Sequence, residues 1–224
     1  ATKGEVVFHN DLFELIHYTP LTERQYAVPL LIVPPWINKY YIFDLRPENS
    51  FIQWALESGL TVFVMSWINP DHRHIHKTMT DYVLNGVNKA LDQVCQITKE
   101  TEVNAVGYCA GGTLLGCLMA YLKVKKDNRI ASATLIAAPF DFSKIDELGI
   151  YRSERQQRRL EEYVQKNGYL EGQYVVQAFN LLRTNDLIWS SDVNHYLLGQ
   201  SPFPFDMLHW TCDALHMPPQ MHSV

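Results

Sequence analysis

The sequence lacks the features that mark several classes of protein. Its 19 Lys and Arg residues are outnumbered by 24 Asp and Glu, which gives a net charge of −5 without a block of like charges. Nucleic-acid-binding modules usually carry a basic face, so we expect no nucleic-acid partner. The four cysteines form no Cys-x-x-Cys pair, and no signal peptide is predicted, so a reducing cytoplasm is the expected compartment.

One charge-free stretch, residues 103–122, has the length of a membrane span. It contains Asn104, Tyr121 and the Gly111–Gly112 pair, and its β-branched beginning changes character halfway along. We therefore predict a buried strand followed by a buried helix, and no transmembrane segment.

Strand-like and helix-like segments alternate along the first 140 residues. Strands are predicted at 5–9, 12–18, 29–33, 60–66, 103–106 and 130–137, and helices at 49–58, 78–98 and 112–123. This alternation is typical of a mainly parallel sheet with helices on both faces. After Pro139 only helices are predicted, at 151–166, 173–182 and 192–198. We predict an α/β core at 1–140 and a helical cap at 141–224.

The candidate catalytic motif is Gly-Tyr-Cys-Ala-Gly at 107–111, between a predicted strand and a predicted helix. This is the nucleophile-elbow pattern with sulfur in place of oxygen. Gly107 and Gly111 suit a turn so tight that it exposes the Cys109 thiol above the sheet. The Ala110 N–H, at the positive end of the helix, is a predicted donor to an oxyanion. The alternative is a cysteine that merely packs in a glycine-rich turn.

A second oxyanion donor usually comes from the loop after an earlier central strand. Here that loop, residues 34–41, begins with two prolines, which have no N–H to donate. The first available amides belong to Trp36 and Ile37, and we predict that both line the oxyanion hole. Without the elbow, a rigid surface loop would be the preferred interpretation.

Four runs occur in order along the chain: PPWINKYYI at 34–42, SWINPD at 66–71, GYCAGGT at 107–113 and FDMLHW at 205–210. With LRTNDLIW at 182–189, they resemble the catalytic domain of a polyhydroxyalkanoate synthase, most closely the class I enzymes that make poly(3-hydroxybutyrate). The resemblance spans nearly the whole chain, which makes it far more specific than the elbow alone.

The resemblance implies an α/β-hydrolase core with a helical cap insertion, and an acyltransferase that needs no cofactor. The implied enzyme polymerises (R)-3-hydroxyacyl-CoA, in particular 3-hydroxybutyryl-CoA, and releases CoA by way of an acyl thioester on Cys109. Its implied partners are this substrate, the growing polyester at the surface of a cytoplasmic granule, and a second copy in a homodimer.

The sequence departs from the family in its catalytic triad. The family's triad has an Asp and a His downstream of the cap, the His in a Gly-His segment, whereas no Gly-His pair occurs here. Asp186 and Asp213 match cap positions. We therefore expect the later core strands to be missing from this chain and expect no turnover from it alone. Two alternatives stay open: a cysteine-type α/β-hydrolase resembling thioesterases or dienelactone hydrolases, and, if the chain is naturally complete, a non-catalytic granule-associated protein.

Two groups of histidines have simpler explanations than chemistry. His72, His74 and His76 follow Asn69-Pro70 in a predicted loop, so a packing or solvated role is preferred and no metal site is expected. The other group lies in the predicted cap and follows no sheet strand, which predicts surface or packing roles: His195, His209 and His216.

Arginines at 152, 155, 158 and 159 alternate with glutamates on the predicted helix 151–166. Binding of a CoA phosphate or of the granule surface is the alternative, but such a pattern usually indicates a solvated helix face with i,i+4 ion pairs. Cys117, about two turns after Cys109 in an apolar helix, is predicted to be a packed thiol.

Overall fold

The computed structural model describes residues 2–141, 154–182, 189, 192–200 and 207–222. Its centre is a six-stranded sheet in the order β1-β2-β4-β3-β5-β6. β2 pairs antiparallel with both of its neighbours, β1 and β4, and the strands β4, β3, β5 and β6 are parallel to one another. The strands are β1 Gly4–His9, β2 Phe13–Tyr18, β3 Leu30–Val33, β4 Val62–Trp67, β5 Val103–Tyr108 and β6 Ile130–Ile136. All six predicted strands are confirmed, including the edge hairpin formed by β1 and β2.

The helices are α1 Phe51–Glu57, α2 Met79–Asp81, α3 Lys89–Thr98, α4 Ala110–Lys125, α5 Glu154–Asn167, α6 Gly172–Leu182, α7 Leu208–Cys212 and α8 Pro219–His222. Between α2 and α3 the chain is π-helical over Tyr82–Asn88, so the helix predicted at 78–98 is continuous but wider in its middle. Gly86 lies in this wide stretch, where a Cβ would stand 2.9 Å from the Trp67 ring. The predicted helix at 192–198 is also π-helical, over Asp192–Leu197.

Two apolar clusters lie on opposite faces of the sheet because successive side chains of a strand alternate between faces. In β3, Leu31 and Val33 pack with α3 and α4, whereas Leu30 and Ile32 pack with α1 on the other face. The sheet is thus covered on both sides, as predicted. Within the described residues, no helix is both long enough and apolar enough to cross a membrane.

The covering is incomplete around β6. Leu135 and Ile136 are 41% and 37% exposed, and Val124 on α4 is 81% exposed. Cys117 is exposed on α4 as well, so the prediction of a packed thiol is wrong. The physical reason is that no described residue covers this side of α4, although the helix is apolar almost all round.

The end of the predicted cap returns to the core. Leu215 and Met221 are buried in the same cluster as β3 and α4, and α8 lies against α5. A third, smaller apolar cluster joins α5 and α6 to the 34–41 loop through the Ile37 side chain. The division into a core at 1–140 and a cap at 141–224 stays a prediction.

Candidate active site

Cys109 lies between the last residue of β5 and the first residue of α4. Its backbone has a conformation that residues other than glycine rarely adopt. Its φ is 50° and its ψ −128°. The conformation is held from both sides: the Cys109 N–H donates to Ile136 O at 2.8 Å, and the Gly112 N–H donates to Cys109 O at 2.9 Å. A strained residue at a strand-to-helix turn is typical of a functional position.

The two glycines that flank Cys109 leave no room for side chains. A Cβ on Gly107 would stand 2.5 Å from the Gly112 Cα, and one on Gly111 would stand 2.3 Å from Val33 O and 2.5 Å from Pro34 O. Both contacts are with backbone, which cannot swing away as a flexible side chain can. Close approach of the 34–41 loop to the start of α4 therefore requires glycine.

The same contacts bring the predicted oxyanion donors into one region. β3 and β5 are neighbouring parallel strands with Val33 opposite Gly107, so their loops leave the same edge of the sheet side by side. The Ala110 N–H is the first amide of α4 and has no partner within the helix. In the described part of the chain no hydrogen bond occupies the amides of Ala110, Trp36 or Ile37.

Aromatic residues of the core contact the beginning of the 34–41 loop. Trp67, at the end of β4, donates from Nε1 to Pro34 O at 2.8 Å. The Trp36 ring lies 6.3 Å from the Tyr82 ring, and its Nε1 is buried without a partner among the described residues. The Trp36 side chain therefore packs into the core, while its backbone stays at the sheet edge.

The segment 207–217 holds the 34–41 loop by hydrogen bonds, a contact that the sequence did not predict. The Leu215 N–H donates to Ile37 O at 2.9 Å, Trp210 Nε1 donates to Lys39 O at 2.7 Å, and the Tyr41 hydroxyl donates to Asp213 Oδ2 at 2.9 Å. Asp213 thus fixes the position of the loop, and its assignment to the cap stays a prediction. The nearness of the FDMLHW run to Asp213 in the sequence was the available signal. Asp186 and residues 205–206 of that run lie outside the described residues.

Among the residues that the structure describes, the titratable groups near the elbow do not form a triad. Burial raises the pKa of Tyr108, whose ring packs edge-on against Phe43 at 5.5 Å, so its hydroxyl stays protonated at neutral pH. In the described part of the chain, neither an imidazole nor a carboxylate hydrogen-bonds to the Cys109 thiol.

The histidines have structural roles. His74 is buried and completes a capping box with Asp71, while its Nε2 lies 2.9 Å from Asp11 O. His216 accepts from the Gly172 N–H through Nδ1 at 3.0 Å, and burial lowers its pKa. His195 is half-buried with its Nδ1 3.0 Å from Gln200 O, and His209 stacks on the Tyr41 ring at 6.4 Å. Among the described residues, no group of three His, Cys, Asp or Glu side chains could hold a metal ion.

Comparison with known proteins gives two family matches. Residues 29–179 match the family model of the alpha/beta hydrolase fold, which covers more than half of the chain. Residues 1–55 match the model of the poly-beta-hydroxybutyrate polymerase (PhaC) N-terminus.

Relatives match over the whole chain. The poly(3-hydroxyalkanoate) polymerase of Methylorubrum extorquens is 49% identical over 223 residues, which are 100% of this chain and 37% of the relative. The poly(3-hydroxyalkanoate) polymerase subunit PhaC of Rhizobium meliloti is 47% identical, over 99% of this chain and 36% of the relative. That of Cupriavidus necator is 39% identical, over 97% and 38%. The chain therefore spans little more than a third of these relatives, and the resemblance predicted from the motifs is confirmed.

Solved structures agree on the fold. A candidate lipase from Sulfolobus solfataricus superposes with a TM-score of 0.54 at 10% identity, over 98% of this chain and 79% of that one. Francisella virulence factor BioJ gives a TM-score of 0.50 at 13% identity, over 65% of this chain and 46% of that one. At these identities the likeness concerns the fold alone.

Proposed function

Because this chain belongs to the α/β-hydrolase family and is similar over its whole length to poly(3-hydroxyalkanoate) polymerases, we propose that it carries the nucleophile half of a polyester-forming acyltransferase. The observation that supports this most is the strained Cys109 at the start of α4, beside the 34–41 loop. The proposed substrate is a (R)-3-hydroxyacyl-CoA, in particular 3-hydroxybutyryl-CoA.

In the first step the Cys109 thiolate attacks the carbonyl carbon of the acyl-CoA thioester. The oxyanion that forms accepts hydrogen bonds from the Ala110 amide and from the amides of Trp36 and Ile37. The C–S bond to CoA then breaks, the CoA sulfur leaves as a thiolate that takes up a proton, and the acyl group stays on Cys109. Exchange of one thioester for another is nearly balanced in energy, so the acyl-enzyme is not a trap.

In the second step the hydroxyl of a monomer or of the growing chain attacks the acyl group on Cys109. A base removes the hydroxyl proton, an ester bond forms, and the Cys109 thiolate is released. The described residues bring no imidazole to Cys109, and the relatives are longer than this chain. We expect the base and its partner acid to come from strands that pair with the edge of β6 at which no described strand lies, next to the exposed Leu135 and Ile136. Residues 1–224 alone are accordingly expected not to turn over.

The proposed setting is the surface of a polyester granule in the cytoplasm, with the enzyme as a homodimer. These proposals follow from the resemblance to the polymerases.

The test replaces Cys109 by Ala in the full-length parent protein and measures CoA release from (R)-3-hydroxybutyryl-CoA. We expect release to disappear. Cys117→Ala is the matched control, since Cys117 is an exposed thiol on the same helix, and it is expected to keep wild-type activity. Retained CoA release in the Cys109→Ala protein would remove Cys109 from the mechanism.

A cysteine hydrolase that transfers the acyl group to water is the second candidate, because the fold family and the solved structures include hydrolases. Product analysis separates the two candidates. A polymerase yields insoluble polyester and CoA, whereas a hydrolase yields free hydroxy acid and CoA.

A further inference from the structure

We propose that Gly172 and His216 are positioning residues for the acyl transfer, because they hold a short segment that in turn fixes the 34–41 loop. The segment is residues 213–217, the strap. The proposal rests on the proposed function, in which amides of the 34–41 loop bind the oxyanion. Neither Gly172 nor His216 belongs to the elbow or to this loop.

On one side the strap is bonded to the core. The Leu215 N–H donates to Ile37 O at 2.9 Å, and the Leu215 side chain is fully buried in the cluster that contains β3 and α4. The His216 N–H donates to Asn69 Oδ1 at 2.8 Å, just after the end of β4. A peptide unit is planar and turns as a whole, so the bond to Ile37 O fixes the peptide that follows the Ile37 amide, a proposed oxyanion donor.

On the other side the strap lies directly against the first residue of α6. A Cβ on Gly172 would stand 2.5 Å from Ala214 O and 3.0 Å from Leu215 O. Both atoms belong to the backbone of the strap, which cannot swing away as a side chain can. The start of α6 and the strap therefore have no room for a side chain between them, and a larger residue at 172 has to displace one of the two.

His216 joins the two sides. Its backbone bonds to Asn69 in the core, while its Nδ1 accepts from the Gly172 N–H at 3.0 Å. Met217 extends the contact, because it exchanges two backbone hydrogen bonds of 2.8 Å with Leu170. A displacement of the start of α6 must consequently either move the strap or break these bonds.

The strap matters for chemistry because hydrogen-bond donors stabilise an oxyanion only while they keep their positions. A misplacement of about 1 Å can lower a rate about a hundredfold. An interaction made only in the transition state affects kcat and leaves KM nearly unchanged. We therefore expect a displaced strap to lower kcat through the 34–41 loop, with little effect on KM.

The experiment introduces Gly172→Ala into the full-length parent protein and measures CoA release from (R)-3-hydroxybutyryl-CoA. We expect kcat to fall about tenfold and KM to stay within about twofold of wild type. Gly168→Ala is the matched control. It is the same change four residues earlier, at φ 79°, and no atom of a described residue lies within 3.7 Å of the new Cβ. Gly168→Ala is expected to keep the wild-type kcat.

A double variant tests whether the effect passes through the strap. Tyr41 bonds to Asp213, at the other end of the strap, so Tyr41→Phe loosens the same connection as Gly172→Ala. Changes that act on one connection are not additive in free energy. We expect the kcat of Gly172→Ala/Tyr41→Phe to lie close to that of the slower single variant.

Asn69 provides a second test if Gly172→Ala does not fold. Its side chain is exposed, so its replacement leaves the core intact. Asn69→Ala removes the acceptor of the His216 N–H and is expected to lower kcat about three- to tenfold. Asn69→Asp keeps an oxygen acceptor and is expected to restore most of the rate.

An unchanged kcat in Asn69→Ala or in a folded Gly172→Ala protein would overturn the proposal, whether or not KM changes. Losses that multiply in the double variant would overturn it as well, since independent effects multiply. The proposed function fails by a different result, which is CoA release by the Cys109→Ala protein. That result involves no residue of the strap.

Discussion

The Tyr41 hydroxyl donates a 2.9 Å hydrogen bond to Oδ2 of Asp213, 172 residues further along the chain. Tyr41 closes the loop that carries the proposed oxyanion donors, and Asp213 directly follows α7. Burial and this bond raise the pKa of Tyr41, so the hydroxyl stays protonated and is a donor at neutral pH. The bond therefore fixes the position of the loop against the end of the chain.

Tyr41→Phe is expected to lower the rate of CoA release by the full-length parent about tenfold, because loosening the loop displaces its amides from the oxyanion. The loss of one hydrogen bond should cost only about 0.5–1.5 kcal/mol of unfolding free energy. Tyr26→Phe is the control, since Tyr26 is 66% exposed. Asp213→Asn keeps an acceptor and should retain most of the activity. Equal losses in Tyr41→Phe and Tyr26→Phe would contradict this role.

Trp67→Phe tests the support below the loop. It removes the bond from Nε1 to Pro34 O and leaves a buried acceptor unpaired, so we expect a loss of about 2–3 kcal/mol of unfolding free energy in denaturant titrations. CoA release should fall as well, because Pro34 leads into the loop. Trp54→Phe, at a side chain that is 56% exposed, is expected to stay within about 0.5 kcal/mol of wild type. Similar losses at both tryptophans would show that the Pro34 bond has no special importance.

Gly111→Ala tests the close approach of α4 to the loop. The added Cβ would meet two carbonyl oxygens at 2.3 and 2.5 Å, so either β3 or α4 has to move. We expect a loss of at least about 3 kcal/mol of unfolding free energy, together with loss of CoA release. Gly199→Ala has the same change in a residue with φ 64° and no atom of a described residue within 4 Å of the new Cβ, and should cost only about 1 kcal/mol. Wild-type stability of the Gly111→Ala protein would refute the steric argument.

His216 gives the protein a predicted pH dependence. Burial lowers its pKa below the ordinary 6.5, although Glu171 offsets part of the shift, and Nδ1 accepts from the Gly172 N–H. Above about pH 6.5 both folded and unfolded states hold a neutral imidazole. Below it the unfolded state takes up the proton first, so stability falls as the pH falls from 6.5 towards the folded-state pKa.

His216→Asn keeps an acceptor near the position of Nδ1 but does not titrate. We expect the plot of unfolding free energy against pH to become flatter between pH 6.5 and 5, with little change at pH 8. Burial also lowers the pKa of His17, so part of the slope should remain in His216→Asn. Adding His17→Gln to His216→Asn should flatten the plot further. An unchanged slope in both variants would exclude these two imidazoles as its cause.

The sequence by itself determined the α/β architecture and the turn that carries the proposed nucleophile. Alternating apolar runs predicted all six strands, because burial imposes a local period that the residues must follow. The Gly-Tyr-Cys-Ala-Gly run predicted the turn at Cys109, since only glycine satisfies the backbone contacts on either side of it. Both are local consequences of residue type.

Only the tertiary structure decided which distant residues hold the 34–41 loop beside this turn. Asp213 and Trp210 contact the 34–41 loop across about 170 residues, and no local period or spacing encodes such a contact. The exposure of Cys117 could not be predicted from the sequence either. The composition of an apolar helix does not indicate which of its sides is covered by a neighbouring element. The i,i+4 ion pairs expected from the spacing of Arg155, Arg158 and Arg159 are not found among the described residues, because side-chain placement in three dimensions decides whether such pairs form.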